Sequence, residues 1–446
     1  MRVKRFASRV RESFWFVPSV IVGMSILLAI SLIAIDAPGP KAWMARWPRL
    51  FGAGAEGARG MLSTIAGSMM TVVGVTFSMT LVVLALASSQ YTSRILRNFM
   101  RDRVTQVVLG IFAGIYVYCL IVLRTIRNAD EGGFVPSLSV LCGVILAIGG
   151  ISVLIFFIHH IASSIQASTI IASVADETVA AVDRLFPDRL GHGLADYDAE
   201  QLPVPLPECQ WQAVRARRSG YIQSVDNAAL LGVARDHQTV VRMERGIGEF
   251  IVRDTTLASL AMAQPPAPAV MAALRSAYGI HHHRTVEQDV GFGIRQIVDM
   301  ALRALSPGIN DTTTAVMCVD YLTTILARLA SRPIPSSRRH ENGELRVIAR
   351  GPTFASVVDE AFDQIRSSAP GNAAVMMRML DAVQIIDRMT VSDNRRDVLR
   401  QHVSRIAELA ARTIASPSDG ARLDRSLSRV RGALGGASAG DPHGGQ

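Results

Sequence analysis

Lysine is almost missing from this chain. Of 446 residues only Lys4 and Lys41 are lysine, so nearly all the positive charge is arginine. With none after position 41, the chain has no lysine for a phosphate-binding P-loop, a pyridoxal phosphate Schiff base or a kinase ATP site there. Cysteine is equally sparse: Cys119, Cys142, Cys209 and Cys318 are widely scattered and form no CxxC pair. That spacing gives neither a disulfide framework nor a cysteine-rich zinc site. Charged residues make up 19% of the chain, below the usual quarter or so. Nor does the sequence contain GxSxG, an EF-hand loop or a recognisable pair of acid/base carboxylates. No catalytic residue, metal site or cofactor is therefore assigned.

What is present is unevenly placed. Up to His159 there are 15 Lys+Arg and 6 Asp+Glu, and beyond it 31 of each. The formal +9 thus belongs to the first third, while the rest is neutral on balance. A nucleic-acid partner is not expected, because a phosphate-binding domain carries a basic footprint. A membrane segment with basic flanks fits better.

Four windows free of Asp, Glu, Lys, Arg and His support that reading: 14–35, 65–87, 104–123 and 138–158. At ~1.5 Å per residue each reaches roughly 30 Å, the thickness of the hydrocarbon core. The first is too long for a signal-peptide core and is read as a retained anchor with Trp15 at the interface. Basic residues number five before the first window and four in the 88–103 loop, against six in the two opposite loops. This bias places both termini in the cytoplasm of a multi-pass protein of the bacterial inner membrane. Between the first two windows, Trp43, Trp47 and Leu50 suggest a short interfacial helix. Gly52–Gly57 matches GxGxxG, but no strand precedes it, so the dinucleotide reading fails.

The second window is unusual. Thr64, Gly67, Thr71, Gly74 and Ser78 recur at steps of three and four, forming a stripe of small and hydroxylated residues. Close helix packing is the commoner use of such a stripe. The sharper alternative is a pathway lining shared by several copies. Downstream, Arg94, Arg97 and Arg101 would share one face of a continuing helix. They suit either lipid headgroups or the cationic mouth of a pore.

The expected fold is a membrane α-helical domain with four transmembrane helices, then a mostly α cytoplasmic region with a small β-rich module. The boundaries are 1–186 for the membrane domain, including a cytoplasmic extension of its last span, and 187–207 for a linker. A small α/β module follows at 208–262, a helical domain at 263–430 and a disordered tail at 431–446. Within the module, Asp226 is expected to cap a helix, with strands near 239–243, 250–252 and 256–260.

The most informative run is 284–330. Arg284, Gln288 and Asp289 lead through Gly291–Gln296 into a helical run at 297–305, and Arg295, Asp299 and Arg303 are spaced i, i+4 and i+8. Ser306-Pro307-Gly308-Ile309-Asn310-Asp311 then supplies a turn, with Asn310 or Asp311 as N-cap of the next helix. The simple reading is a structural corner, and the sharper one an anion site at the helix N-terminus. His281-His282-His283 invites a metal, but consecutive imidazoles point apart and no spaced second group accompanies them.

Two stretches carry a resemblance. One is Phe77-Ser78-Met79-Thr80-Leu81 with Ala87-Ser88-Ser89-Gln90-Tyr91-Thr92-Ser93-Arg94; the other is Arg284-Thr285…Gln288-Asp289…Gly293-Ile294-Arg295-Gln296 with Ser306–Asp311. Together they resemble the bacterial membrane-protein family termed domain of unknown function 2254, from the first span to about Leu409. The resemblance implies an integral membrane protein with a cytoplasmic C-terminal half, and it transfers no reaction. Where the family usually has Pro after Asn-Asp, this chain has Thr312. Two functions remain open, a homo-oligomeric channel or transport-like protein in the lipid bilayer and a membrane-anchored sensor or scaffold. An enzyme ranks last.

Overall fold

The computed structural model describes residues 15–37, 54–90, 103–127, 134–164, 166–186, 210–390 and 392–436. They belong to two compact units, 1–166 and 167–446. Outside the described residues lie Trp43, Trp47 and Leu50, the arginines Arg94, Arg97 and Arg101, and the expected linker 187–207.

Among the described residues the first unit holds four helices: α1 (Phe16–Asp36), α2 (Ala55–Gln90), α3 (Arg103–Thr125) and α4 (Ser137–Ser164). Helix α3 packs against the other three, and its Phe112, Ile115, Tyr118, Cys119 and Val122 form the centre of the core. Among apolar surroundings the burial of apolar side chains adds little drive, so helices associate through close approach and hydrogen bonds. Gly110 and Gly114 of α3 supply the first: a Cβ at Gly110 would lie 2.8 Å from Ile21 Cδ1, and one at Gly114 would lie 2.5 Å from Ser25 Oγ. Asp36, buried at the end of α1, supplies the second. Its Oδ2 accepts from Ser139 N (3.0 Å) and Ser139 Oγ (2.9 Å), capping the first turn of α4, while Tyr118 Oη donates to Ser139 O (2.7 Å).

The second unit begins with α5 (Ala167–Leu185). The sequence predicts these residues as an extension of the fourth span. Instead α4 ends at Ser164, Gln166 is non-helical, and α5 packs against α8 (Val290–Ala304) and α9 (Thr312–Ala330) of its own unit.

Its β region is larger than the expected 208–262 module. Strands β1 (Trp211–Arg215), β2 (Gly220–Val225), β3 (Val241–Met243), β4 (Phe250–Ile251) and β5 (Thr256–Ala261) fall inside those bounds, with α6 (Asn227–Asp236). Beyond them lie α7 (Pro268–Ser276), β6 (Tyr278–His281), β7 (Arg338–Glu341) and β8 (Glu344–Ile348). They form a five-stranded sheet β1-β5-β3-β8-β7 and a three-stranded sheet β4-β2-β6. Among the described strands, only the β3–β8 pair is parallel. Ile222, Leu230, Val241, Ile251, Leu260, Leu274 and Ile280 share one core between the sheets and the two helices. Asp226 caps α6 by accepting from Ala229 N (3.0 Å).

The remaining helices are α10 (Phe354–Ser367), α11 (Ala373–Met389), α12 (Asp393–Thr413) and α13 (Pro417–Gly436). Helix α9 is central, packing on α5, α8, α10 and α11. Helix α13 runs past residue 430 into the stretch expected to be tail. Leu423, Leu427, Val430 and Leu434 explain this, since they bury one face at helical spacing.

Among the described residues five helices are long and apolar enough to cross a bilayer, not four: α1, the 55–85 part of α2, α3, the 137–163 part of α4, and α9. The uncharged-window criterion passed over α9 because Asp320 and Arg328 interrupt it.

Candidate functional site

Four regions bear on function, and each is described within its own unit. The first is the stripe on α2. Thr64, Gly67, Thr71, Gly74 and Ser78 are all exposed, and a Cβ built on Gly67 or Gly74 would meet nothing within 4 Å. Contacts to the rest of the unit come from another face of α2, through Leu62, Ala66, Met69 and Val83. The hydroxyls of Thr64 and Thr71 donate back to Gly60 O (2.8 Å) and Gly67 O (3.1 Å). Packing inside the unit therefore uses the glycines of α3, and the α2 stripe is left facing outward.

The second region surrounds the N-terminus of α8. Asp289 is its N-cap, buried, with Oδ1 accepting from Phe292 N (3.0 Å). Arg284 binds the same carboxylate through Nε (2.8 Å) and Nη2 (3.0 Å) and covers the Phe292 ring at 5.3 Å. Gln288 turns the other way, its Oε1 accepting from Val225 N at the end of β2 (3.1 Å). Further along α8, Arg295 Nε pairs with Asp299 Oδ1 (2.9 Å). Gly248 approaches from the β3–β4 loop at φ +84°, where a Cβ would lie 2.5 Å from Asp289 Oδ2. The sequence reading missed Glu360 of α10, whose Oε2 would lie 2.8 Å from a Cβ on Gly291. Burial pushes its carboxyl above the ordinary value, Arg284 and Arg295 pull it down, and Asp289 and Asp299 push it up. The arrangement ties the β region to α8 and leaves one protonatable carboxylate among two arginines.

Asn310 and Asp311 lie at the opposite end of α8 from Arg284, so the family-motif residues form two sites. Asn310 takes the left-handed φ of 48° that completes the turn. Asp311 is the N-cap of α9, accepting from Thr314 N (3.0 Å) and Thr314 Oγ1 (2.6 Å). Those bonds hold its carboxyl below the usual carboxylate range. Thr312 Oγ1 accepts from Nδ2 of Asn372 (2.9 Å), the N-cap of α11. The N-termini of α9 and α11 thus meet, at the wall of an open cavity of about 850 Å³ that Ser306, Asn310, Asn372, Asp419 and Arg422 also line.

A further cluster had no sequence signal. Asp359 and Asp363 of α10 and His402 of α12 bring ligand atoms within 4.8 Å of one another. Arg405 Nη1 lies 2.8 Å from Asp359 Oδ1 and 3.2 Å from Asp363 Oδ1, so a guanidinium already supplies the positive charge there. His402 Nε2 lies 3.0 Å from Asp359 Oδ1, and burial pushes the imidazole's pKa down while Asp363 and Asp359 pull it up. His281, His282 and His283 are exposed where β6 ends.

Several long apolar helices, most of them in one unit, together with a mixed α/β fold in the other, define a multi-pass membrane protein. The chain belongs to the family described as predicted membrane protein, domain of unknown function 2254, whose model matches residues 11–384. Two curated relatives, each described only as an uncharacterized protein, come from Mycobacterium bovis and Mycobacterium tuberculosis. Each is 34% identical over 373 residues, covering 82% of this chain and 70% of the relative. No solved structure matches.

Proposed function

We propose that this protein is a homo-oligomeric channel or transport-like protein of the bacterial inner membrane, with the α2 stripe lining the pathway. The observation that carries the reading is the outward exposure of Thr64, Gly67, Thr71, Gly74 and Ser78. Small residues let neighbouring copies approach, and back-bonded hydroxyls give a face that tolerates water without demanding a partner. In this reading α1 to α4 cross the bilayer, both termini are cytoplasmic, and Arg94, Arg97 and Arg101 form a cationic mouth.

Helix α9 stays outside the bilayer in this reading. Asp320 pairs with Arg378 and Arg328 pairs with Asp183 (2.6 Å), contacts that fit a helix packed in protein. A second reading, a membrane-anchored sensor or scaffold, draws on the cavity between the α8–α9 and α10–α11 corners.

Planar-bilayer recording of the purified full chain separates the two. The channel reading expects a conductance that Thr71→Trp blocks and Arg97→Glu shifts toward cations. A silent bilayer with a correctly inserted protein would sink it. The sensor reading expects a small molecule to raise the melting temperature of the parent chain but not of an Asn310→Ala/Asn372→Ala variant.

A further inference from the structure

The β1–β2 turn and the loop after β4 lie side by side. Asp254 N donates to Ala216 O, Ala216 N to Thr255 O and Arg253 N to Ser219 Oγ, each at 2.9 Å. This seam sets Arg217 and Arg218 beside Arg253, all three exposed. Arg215 joins them, its Nη1 donating to Asp254 O (3.2 Å). The acid within this seam is Asp254, which pairs with Arg253 at 3.5 Å.

Next to the arginines runs β4, an edge strand of the three-stranded sheet. It buries Ile251 and turns Phe250 outward, and Val252, directly after it, is outward as well; the two are 51% and 53% exposed. Phe250 meets the Tyr221 ring edge-on at 5.1 Å, so the aromatic is held in place and still faces solvent. Large apolar side chains are rarely exposed elsewhere in this unit: Ile309, Ile385 and Met389 are the others among the described residues. Two outward apolar side chains at one sheet edge, beside a seam that carries four arginines and Asp254, are a built surface rather than scatter.

We infer that this edge docks on anionic phospholipid. Phe250 and Val252 enter the boundary between headgroups and acyl chains, and Arg215, Arg217, Arg218 and Arg253 pair with the phosphates. Charge complementarity is local, since the chain beyond His159 carries equal numbers of basic and acidic residues and has no long-range field to gather nucleic acid. A chain anchored in a bilayer meets headgroups at high effective concentration, so a modest patch suffices. The inference stands apart from the pore reading and needs only that the protein is held at a membrane.

The test uses the full chain in nanodiscs of phosphatidylcholine, with or without about a third phosphatidylglycerol. An environment-sensitive dye is attached at Val252→Cys, with the parent chain correcting for reaction at native cysteines, and spin-labelled lipid serves as quencher. The expected result is a blue shift and quenching in the anionic discs alone. Each arginine changed to Gln lowers the docked-to-free ratio about fivefold, and Arg217→Lys retains most of it. Solvent-like emission in both lipids overturns the inference, as does equal quenching in both. A blue shift that lipid-borne quencher does not touch also overturns it, because protein then covers the edge.

Discussion

Arg284 holds Asp289 by one edge of its guanidinium and both carboxylate oxygens, Nε to Oδ2 at 2.8 Å and Nη2 to Oδ1 at 3.0 Å. The same carboxylate caps α8 and packs beneath Gly248. Removing the arginine leaves a buried carboxylate with only its backbone partner. Arg284→Ala is expected to destabilise the second unit by about 2–3 kcal/mol, somewhat less than a fully buried pair because Arg284 is partly exposed. Arg284→Lys should rescue little, since an ammonium cannot make the paired bonds. Gly248→Ala should cost about 1–2 kcal/mol from its positive φ alone, and more from the clash with Asp289. Thermal unfolding of the full chain in detergent reads all three. An unchanged melting temperature for Arg284→Ala would mean that the pair is ornamental.

Glu360 makes stability depend on pH in the opposite sense to a salt-bridged acid. Burial raises its folded pKa above the unfolded value. The protonated form is then the favoured one in the fold. Its contribution is fully present below the unfolded pKa and is lost as pH rises through the folded pKa. Glu360→Gln keeps the shape without the charge. The variant is expected to melt higher than the parent at neutral pH, and the two curves should converge by about pH 4. If the variant melts lower at neutral pH, attraction from Arg284 and Arg295 outweighs burial.

In the first unit, Asp36 joins the end of α1 to the start of α4. Asp36→Ala removes its bonds to Ser139 N and Ser139 Oγ and frees the first turn of α4. A lost cap costs about 1–2 kcal/mol, read as a lower melting temperature in detergent. Asp36→Asn, which keeps an accepting oxygen, should recover about half. Equal losses for Ala and Asn would point to charge rather than capping.

The long apolar helices and the α6 cap at Asp226 were legible because each is a local pattern: a window without charge, or a capping residue ahead of an apolar run. Three features were legible and overlooked. Gly110 and Gly114 sit four apart in an apolar helix, the ordinary sign of close packing, but the longer stripe on α2 drew that reading instead. Asn342-Gly343, with φ of 54° and 83°, is the tight turn that joins β7 to β8. The charged residues around it masked two strands. The spacing of Leu423, Leu427, Val430 and Leu434 extends α13 through a Gly- and Ala-rich stretch. Glu360 and His402 were not legible, because their surroundings come from segments 43 or more residues away in the chain for His402–Asp359 and more than 60 for Glu360–Asp299. No window of sequence holds those pairs.

The two faces of α2 allow the oligomer to be tested apart from the fold. Ala66 and Met69 are buried against the unit's own helices, whereas Gly67 and Gly74 meet nothing. Ala66→Leu forces extra atoms into a packed interface and should destabilise the single chain by about 1–3 kcal/mol. Gly67→Leu adds one carbon more than that to an open face and should not destabilise the dilute, detergent-solubilised chain. If copies assemble through the stripe, Gly67→Leu shifts native mass spectra toward monomer and abolishes disulfide cross-linking between Thr71→Cys copies in membranes. If the stripe faces lipid alone, both measurements stay at the parent values, and the proposed pathway loses its lining.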